Sequence, residues 1–152
     1  MRSKVIDSAR DLGLDLNVQR MPDSVATTAD TAAALGCGSA RIASCAVYVA
    51  DGDPVVCIAS AECSVDADLL ADALDVAELR TASSSEIRAA TGFSAASVPP
   101  FGHSLPVVLD AALLTYSTVW ATGGDGHTLV ELEPNRLAAC TSATVAAVTV
   151  TA

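Results

Sequence analysis

Thirteen residues, Thr91 to His103, read TGFSAASVPPFGH and crowd together two prolines, two glycines, two aromatics and a histidine. Pro99 and Pro100 lack an N–H, fix their own φ and push the residues before them toward extended geometry. Gly92 and Gly102 bracket the stretch with positions open to positive φ. Such a segment is a stiff loop, neither helix nor central strand, and rigid loops on a packed scaffold are where binding sites usually sit. It is either a structural turn whose Phe93 and Phe101 plug into the core, or a loop that offers its backbone to a ligand.

The rest of the chain supplies the scaffold. Val5, Ala9, Leu12 and Leu16 recur at helical spacing, which predicts an amphipathic helix over 4–16, then a polar connection holding Pro22. Thr28 is a candidate N-cap for a short Ala-rich helix that Gly36 stops. Arg41 to Ala50 reads as a strand, DGDP as a turn, and Pro54 to Ala61 as the returning strand of an antiparallel hairpin. Ser64 or Asp66 caps a helix carrying Leu69, Leu70 and Leu74, with Asp66, Asp68 and Asp72 as helix-start charges and a solvated face. Ala77 to Thr81 is a short strand, and Ser83 with Glu86 forms a capping box for a helix ending near Gly92. Beyond the proline loop, Leu105 to Leu109 is an apolar, buried strand, and Asp110 opens a short segment with Leu113 and Leu114. Ser117 to Ala121 and Thr128 to Leu132 are strands joined by TGGDGH. Pro134 opens a helix to about Cys140, and Thr144 to Thr149 closes the sheet. Hairpins alternating with short helices indicate an α+β fold with a mixed sheet, laid out as one domain over residues 1–152.

Charge narrows the partners. Eighteen acidic residues face eight basic ones, a net charge of −10, and Lys4 is the only lysine. A strong nucleic-acid binder would show a basic surface, so DNA is not expected as a partner, and any contact with RNA would need a local patch around Arg41, Arg88 or Arg136. No apolar run approaches the length of a membrane span, and MRSKVIDSARDLG lacks a signal-peptide core. The expectation is a cytoplasmic protein that does not engage a membrane. The five cysteines, Cys37, Cys45, Cys57, Cys63 and Cys140, are odd in number and form no CxxC pair, so they are read as small buried hydrophobes without a metal or disulfide role. No cofactor is expected, and the oligomeric state is left open.

Taken in order, TTADTAAALGC, RIASCAVYV, the proline loop, SLPVVLDAALL, VWATGGDGH and LVELEPNRLAA resemble the YbaK-type aminoacyl-tRNA deacylases and the related editing domain inserted into bacterial prolyl-tRNA synthetases. That family has a loop of the form TGY…GGVSPFGH, an LPVxxD strand and a VWxGAG strand, and the resemblance covers about residues 5 to 150. It implies a largely antiparallel, curled sheet flanked by short helices. It also implies hydrolysis of the ester between an amino acid and the 3′-terminal ribose of tRNA. Such a reaction needs an activated water, a place for the developing oxyanion, and a pocket that selects the side chain. The family leans on backbone groups and on the substrate's own hydroxyl, which fits a chain with no legible Ser-His-Asp or Cys-His motif.

Carried over by position, the family's GxxxP element falls on Ala96 to Pro100, with Ala96 where the glycine stands and Ser97 beside it. IASCAVY aligns with IVKSLVF, so Ser44 takes the place of a family lysine that positions the terminal nucleotide and phosphate; Arg41, three residues earlier, would point to the opposite strand face. His127 lies near a family pocket histidine. Ser44, Ala96, Ser97, Pro100 and His127 are therefore the catalytic candidates. Thr28, Phe101, Gly102, His103, Asp110, Gly123 and Gly124 are the substrate-binding candidates. Blander roles stand beside several of these: His103 locking the loop, His127 as an exposed turn residue, Asp110 bonding to neighbouring backbone, Phe101 and Trp120 as core. The first functional expectation is a trans-editing deacylase of, for example, Cys- or Ala-tRNA(Pro). The second is a non-catalytic protein binding a small molecule or aminoacyl group on the same scaffold. The third is an interaction module appended to translation factors.

Overall fold

The computed structural model describes residues 17–20, 41–60, 63–93, 98, 105–122, 128–141 and 143–151. The helices expected over 4–16 and after Thr28 lie outside them. The described strands are β1 (Asn17–Arg20), β2 (Ala43–Ala50), β3 (Asp53–Ser60), β4 (Cys63–Val65), β5 (Leu79–Thr81), β6 (Val107–Asp110), β7 (Val119–Thr122), β8 (Thr128–Leu132), β9 (Thr144–Ala146) and β10 (Thr149–Thr151). The helices are α1 (Ala67–Leu74), α2 (Ser84–Thr91) and α3 (Pro134–Thr141), with a 3-10 turn at Ala111–Thr115.

The main sheet runs β5-β2-β3-β6-β9. Its first three strands are antiparallel, and β6 and β9 add in parallel. A second sheet, β1-β8-β7, is antiparallel throughout and meets the first at a bridge between Ile42 and Trp120. β10 pairs with β4 in a separate ribbon. The fold is α+β with a mixed sheet, as the sequence indicates.

β3 sits in the middle and explains its own composition. Val55 to Ala59 are each no more than 3% exposed, because both faces of the strand are covered, and a strand so placed reads as an unbroken apolar run. Val56 and Ile58 point into the larger core with Val47, Val107, Leu109, Phe93, Leu113, Leu132 and Leu137. Val55 and Cys57 point the other way, onto Leu70, Val108 and Val148. Burial stabilises by about 1.5–3 kcal/mol for each such Val or Ile.

The β2–β3 hairpin closes on a two-residue turn. Asp51 (φ 47°) and Gly52 (φ 88°) both take positive φ, the backbone that matches strand twist in tight hairpins. Asp51 also ties the turn to the approach of β5. Its carboxylate accepts from the Glu78 N–H at 2.8 Å and from the Ala77 N–H, and its own N–H donates to the Glu78 carbonyl at 2.9 Å.

Helix ends follow the capping logic of the sequence. Asp66, not Ser64, caps α1, accepting from the N–H groups of Asp68 and Leu69. Ser83 and Glu86 make a complete capping box on α2, which Gly92 ends in the left-handed region at φ 79°. Arg80 reaches from β5 to grip the Glu86 carboxylate through two bonds of 2.8 and 2.7 Å.

The structure corrects several sequence expectations. Asn17–Arg20, read as part of a polar connection, is a strand, because pairing with β8 outweighs a weak local preference. Arg41 precedes β2, so strand parity does not set its direction. Leu79, not Ala77, begins β5, since the N–H groups of Ala77 and Glu78 are held by Asp51. Val107, not Leu105, begins β6, and Asp110 ends it. The closing strand over 144–149 is two strands. Val148 is fully buried and its peptide is clamped on both sides. Its N–H donates to the Asp110 carboxylate at 3.0 Å, and its carbonyl accepts from the Asp66 N–H at 2.8 Å. That clamp turns the chain out of the main sheet and onto β4, a strand the sequence reading did not contain.

Two outcomes are expected. Asp110→Ala strips the acceptor from the buried Val148 N–H and should lower stability by about 1.5–3 kcal/mol, read as a reduced urea midpoint. The Arg80 contact, with the Ser83 capping bond second, pulls the Glu86 carboxyl down to about 2 from an ordinary 4.5. A depressed carboxyl contributes stability that is complete above its unfolded pKa and lost as pH falls through the folded one. Between pH 5 and 2, taken as roughly the span of those two values, Glu86→Gln should therefore flatten the decline in melting temperature, whereas a parallel decline would mean the contact contributes nothing.

Candidate functional site

Two of the candidate residues fall on described strands, and the sheet places them in one row. Ser44 on β2 pairs with Ala59 on β3. The parallel register that pairs Ile58 with Leu109 continues to set Ala59 beside Asp110. All three residues therefore share the face opposite the larger core, with Ser44 and Asp110 separated by two strand spacings, about 10 Å. Ser44 is exposed, while Ala59 and Asp110 are buried.

The two differ in what surrounds them. Asp110 is 1% exposed, and its carboxylate accepts from the Val148 N–H and from the Thr149 hydroxyl at 2.8 Å. The Val148 contact is the bond to neighbouring backbone that stood beside substrate binding as the alternative role for this residue. Ser44 lies beyond the part of this face that packs under Leu70 and Val148. Thr28, Ala96, Ser97, Pro100, Phe101, Gly102, His103, Gly123, Gly124 and His127 lie outside the described residues, as does the His103 lock.

The stems of the proline loop are nevertheless defined. Phe93 and Val98, 1% and 2% exposed, both belong to the larger core, so the residues either side of 94–97 are anchored in the same cluster. Thr91, at the end of α2, is buried. Its hydroxyl donates to the Ile87 carbonyl at 2.7 Å and accepts from the Phe93 N–H at 3.0 Å. On the far side, Leu105 packs against the core and the Pro106 carbonyl accepts from the Val56 N–H at 2.9 Å. The loop thus leaves from a helix end and returns to the central strand. Gly123, Gly124 and His127 belong to the connection between β7 and β8, whose flanking pair is Thr122 and Leu129.

The arginines named for a local basic patch are spread over separate elements. The Arg41 guanidinium donates to the Thr118 hydroxyl at 2.8 Å and to its carbonyl, and the same hydroxyl donates to the Glu131 carboxylate. This chain bridges the seam where the two larger sheets meet. Arg88 and Arg136 are exposed on α2 and α3. The sequence reading missed both the Arg41 partners and Thr91; a polar residue next to a helix-stopping glycine is the one signal that pointed to the latter.

Of the described thiols, Cys57 and Cys45 match a packing role, while Cys37 and the Cys140 side chain lie outside the described residues. Cys57 is 1% exposed and sits diagonally across from Asp110. Burial first, and the Asp110 charge second, push its thiol up to about 12. Burial raises Cys45 as well; it packs against the larger core, while Cys63 is half-buried on β4. Among the described residues no group of His, Cys, Asp and Glu could hold a metal ion, and no helix is long and apolar enough to cross a membrane.

The family model of the aminoacyl-tRNA editing domain matches residues 22–140. A hypothetical protein of known crystal structure superposes with a TM-score of 0.92 at 25% identity, covering 97% of this chain and 99% of that one. A candidate trans-editing enzyme for prolyl tRNA synthetase superposes with a TM-score of 0.90 at 32% identity, covering 98% and 96%. A comparison with curated proteins finds no match.

The Cys57 environment has a measurable consequence. With its thiol near 12, about one Cys57 in ten thousand is thiolate at pH 8, and the thiolate is the reactive form. Alkylation of Cys57 in the folded protein at pH 8, followed by peptide mapping, should be far slower than in denaturant. Comparable rates would contradict the packing role.

Proposed function

This chain belongs to the aminoacyl-tRNA editing domain family, and from that membership we propose that it is an aminoacyl-tRNA deacylase acting in trans on mischarged tRNA. The substrates we propose are Ala- or Cys-tRNA(Pro), engaged at the 3′ end. The observation that carries this reading is the match, over nearly the full length of both chains, to a candidate trans-editing enzyme for prolyl tRNA synthetase.

The chemistry we assign is hydrolysis of the ester at the terminal ribose, with an oxyanion developing on the carbonyl oxygen. Backbone donors aimed at that oxygen suffice for its stabilisation, provided they are held before the substrate arrives. The proline loop is the element we assign to this task. In support, its flanking residues Phe93 and Val98 are buried in the core and Pro106 is bonded to β3. Asp110 acts, on this reading, through the backbone it holds rather than as a base. The catalytic roles of Ala96, Ser97, Pro100 and His127, and the binding roles of Thr28, Phe101, Gly102, His103, Gly123 and Gly124, belong to the same proposal.

Ser44 sets the expected strength. It stands where the family resemblance puts a lysine, its side chain is short and neutral, and the net charge of −10 repels phosphates. The native protein is therefore proposed to be a weak, salt-sensitive deacylase. Its exposed position on β2 leaves room for a longer side chain.

The test is tRNA binding and deacylation by the native protein and by Ser44→Lys at two salt concentrations. A cation meeting a phosphate should gain about 1.5–3 kcal/mol, roughly ten- to a hundredfold in affinity. A native form that is already fast and insensitive to salt would show that no lysine is needed here. If neither form binds tRNA, the small-molecule-binding reading takes the place of this one.

A further inference from the structure

We infer that Arg41 is a phosphate-binding residue, its guanidinium held ready by Thr118; that the phosphate is a phosphodiester of the tRNA 3′ end rests on the deacylase reading above. A net charge of −10 with a single lysine leaves phosphate recognition to a local cation. The described arginine side chains differ in what they can offer. Arg80 is committed to Glu86 through two bonds. Arg88 and Arg136 stand exposed on α2 and α3. An exposed arginine samples many rotamers and must give them up to hold an anion. Arg41 is half-buried and already held in one of them.

Neutral atoms do the holding. Nη2 of Arg41 donates to the Thr118 hydroxyl at 2.8 Å and to the Thr118 carbonyl at 3.3 Å. Among the described residues no carboxylate forms an ion pair with Arg41; the pair that does form joins Arg80 to Glu86. Glu131 is reached only through the Thr118 hydroxyl, which donates to its carboxylate at 3.1 Å. That acceptor fixes the hydroxyl proton, so the oxygen presents lone pairs to Arg41. The guanidinium is thus steadied without direct contact with an opposite charge. Nη2 is spent on these bonds, while the donors on Nε and Nη1 are taken up by no described residue. The backbone beside it is fixed as well: Ile42 is buried and bridges to the buried Trp120 where the two larger sheets meet. Ser44, three residues on, is exposed on β2, within about 11 Å along the chain. A cation with unspent donors and an exposed hydroxyl are therefore gathered at one end of β2. Guanidinium donors suit phosphate oxygens, and a side chain ordered before the ligand arrives lowers the entropic cost of binding.

The probe is an RNA hairpin that ends in single-stranded CCA and carries no amino acid. Its binding is to be measured over a range of salt concentrations for the native protein, Arg41→Gln, Arg41→Lys and Arg88→Gln. Arg41→Gln should weaken binding about tenfold at low salt. It should also make the slope of log affinity against log salt shallower by about 0.7, the loss of one phosphate contact to a single strand. Arg41→Lys should keep the slope. Arg88→Gln, which removes the same charge from an exposed position, should leave it unchanged. A weakened seam lowers the melting temperature but not the number of counterions released, so the slope separates a phosphate contact from a purely structural arginine. The inference is overturned if Arg41→Gln leaves the slope as it was, or if Arg88→Gln lowers it equally. Should Arg41→Gln fail to fold, the native protein gives the answer. RNA should slow the modification of Arg41 by phenylglyoxal, read by peptide mapping, and leave that of Arg88 unchanged; equal modification of Arg41 with and without RNA overturns the inference. Deacylation of mischarged tRNA is scored separately. RNA binding with the Arg41-dependent slope and no deacylation removes the deacylase reading and supports the phosphate site. If the RNA does not bind, protection of Arg41 by inorganic phosphate keeps the phosphate site and rules out the RNA 3′ end as its source, whereas no protection overturns the site itself.

Discussion

Coverage of β3 on both faces is the constraint from which the rest of the molecule follows. A strand with Val55 to Ala59 all buried must have a packed layer above and below it and a hydrogen-bonded neighbour on each side. The antiparallel neighbour, β2, arrives through a two-residue turn. The parallel neighbour, β6, cannot, since a parallel connection needs a long crossover. Residues 61–106 are that crossover. Within it α1 covers one face of β3, and the chain from α2 into the proline loop supplies Phe93 and Val98 to the other. The proposed functional loop is thus part of the connection that the central strand requires.

The same arrangement separates two kinds of polar group. Asp110 is buried and committed to Val148 and Thr149, and its charge helps keep the Cys57 thiol protonated. Ser44, in the same cross-strand row, faces solvent. Buried charge is tolerable only when it is hydrogen-bonded, so the inner member of the row is spent on the fold and the outer one is open to substitution. A single strand position can therefore tune the charge of this face without disturbing the core beneath it.

Much of the architecture was legible because local chemistry and tertiary structure agree. The capping box at Ser83 and Glu86 and the apolar run of β3 each have one physical reading and formed as read, while the turn read over DGDP tightened to Asp51–Gly52 because Asp53 and Pro54 pair with β2. The failures share a cause of another sort. Asn17–Arg20 and Cys63–Val65 are short and carry little apolar pattern; they are strands because β8 and β10 lie alongside them. The break at Val148 depends on a carboxylate 38 residues earlier, which no local window contains. Of the candidate site, the order of the motifs led to the editing-domain family, whereas the cross-strand row of Ser44 and Asp110 emerges only from the register of β2, β3 and β6 in the folded sheet. The bond of Thr91 to the Phe93 N–H and the seam made by Arg41, Thr118 and Glu131 were not legible, because each depends on which side chains meet in space.

The clamp on Val148 also sets a schedule for folding. As the chain leaves the ribosome, β2, β3, α1 and β6 are all synthesised before the residues that complete them. Until Val148 and Thr149 emerge, Asp110 has neither of these hydrogen-bond partners, and Leu70 and Cys57 lack the side chain that closes their cluster. Contacts of such long sequence separation slow folding and leave apolar surface open in the interval. A nascent chain that stops before β9 would hold Asp110 without these donors and leave part of one face of the central strand uncovered.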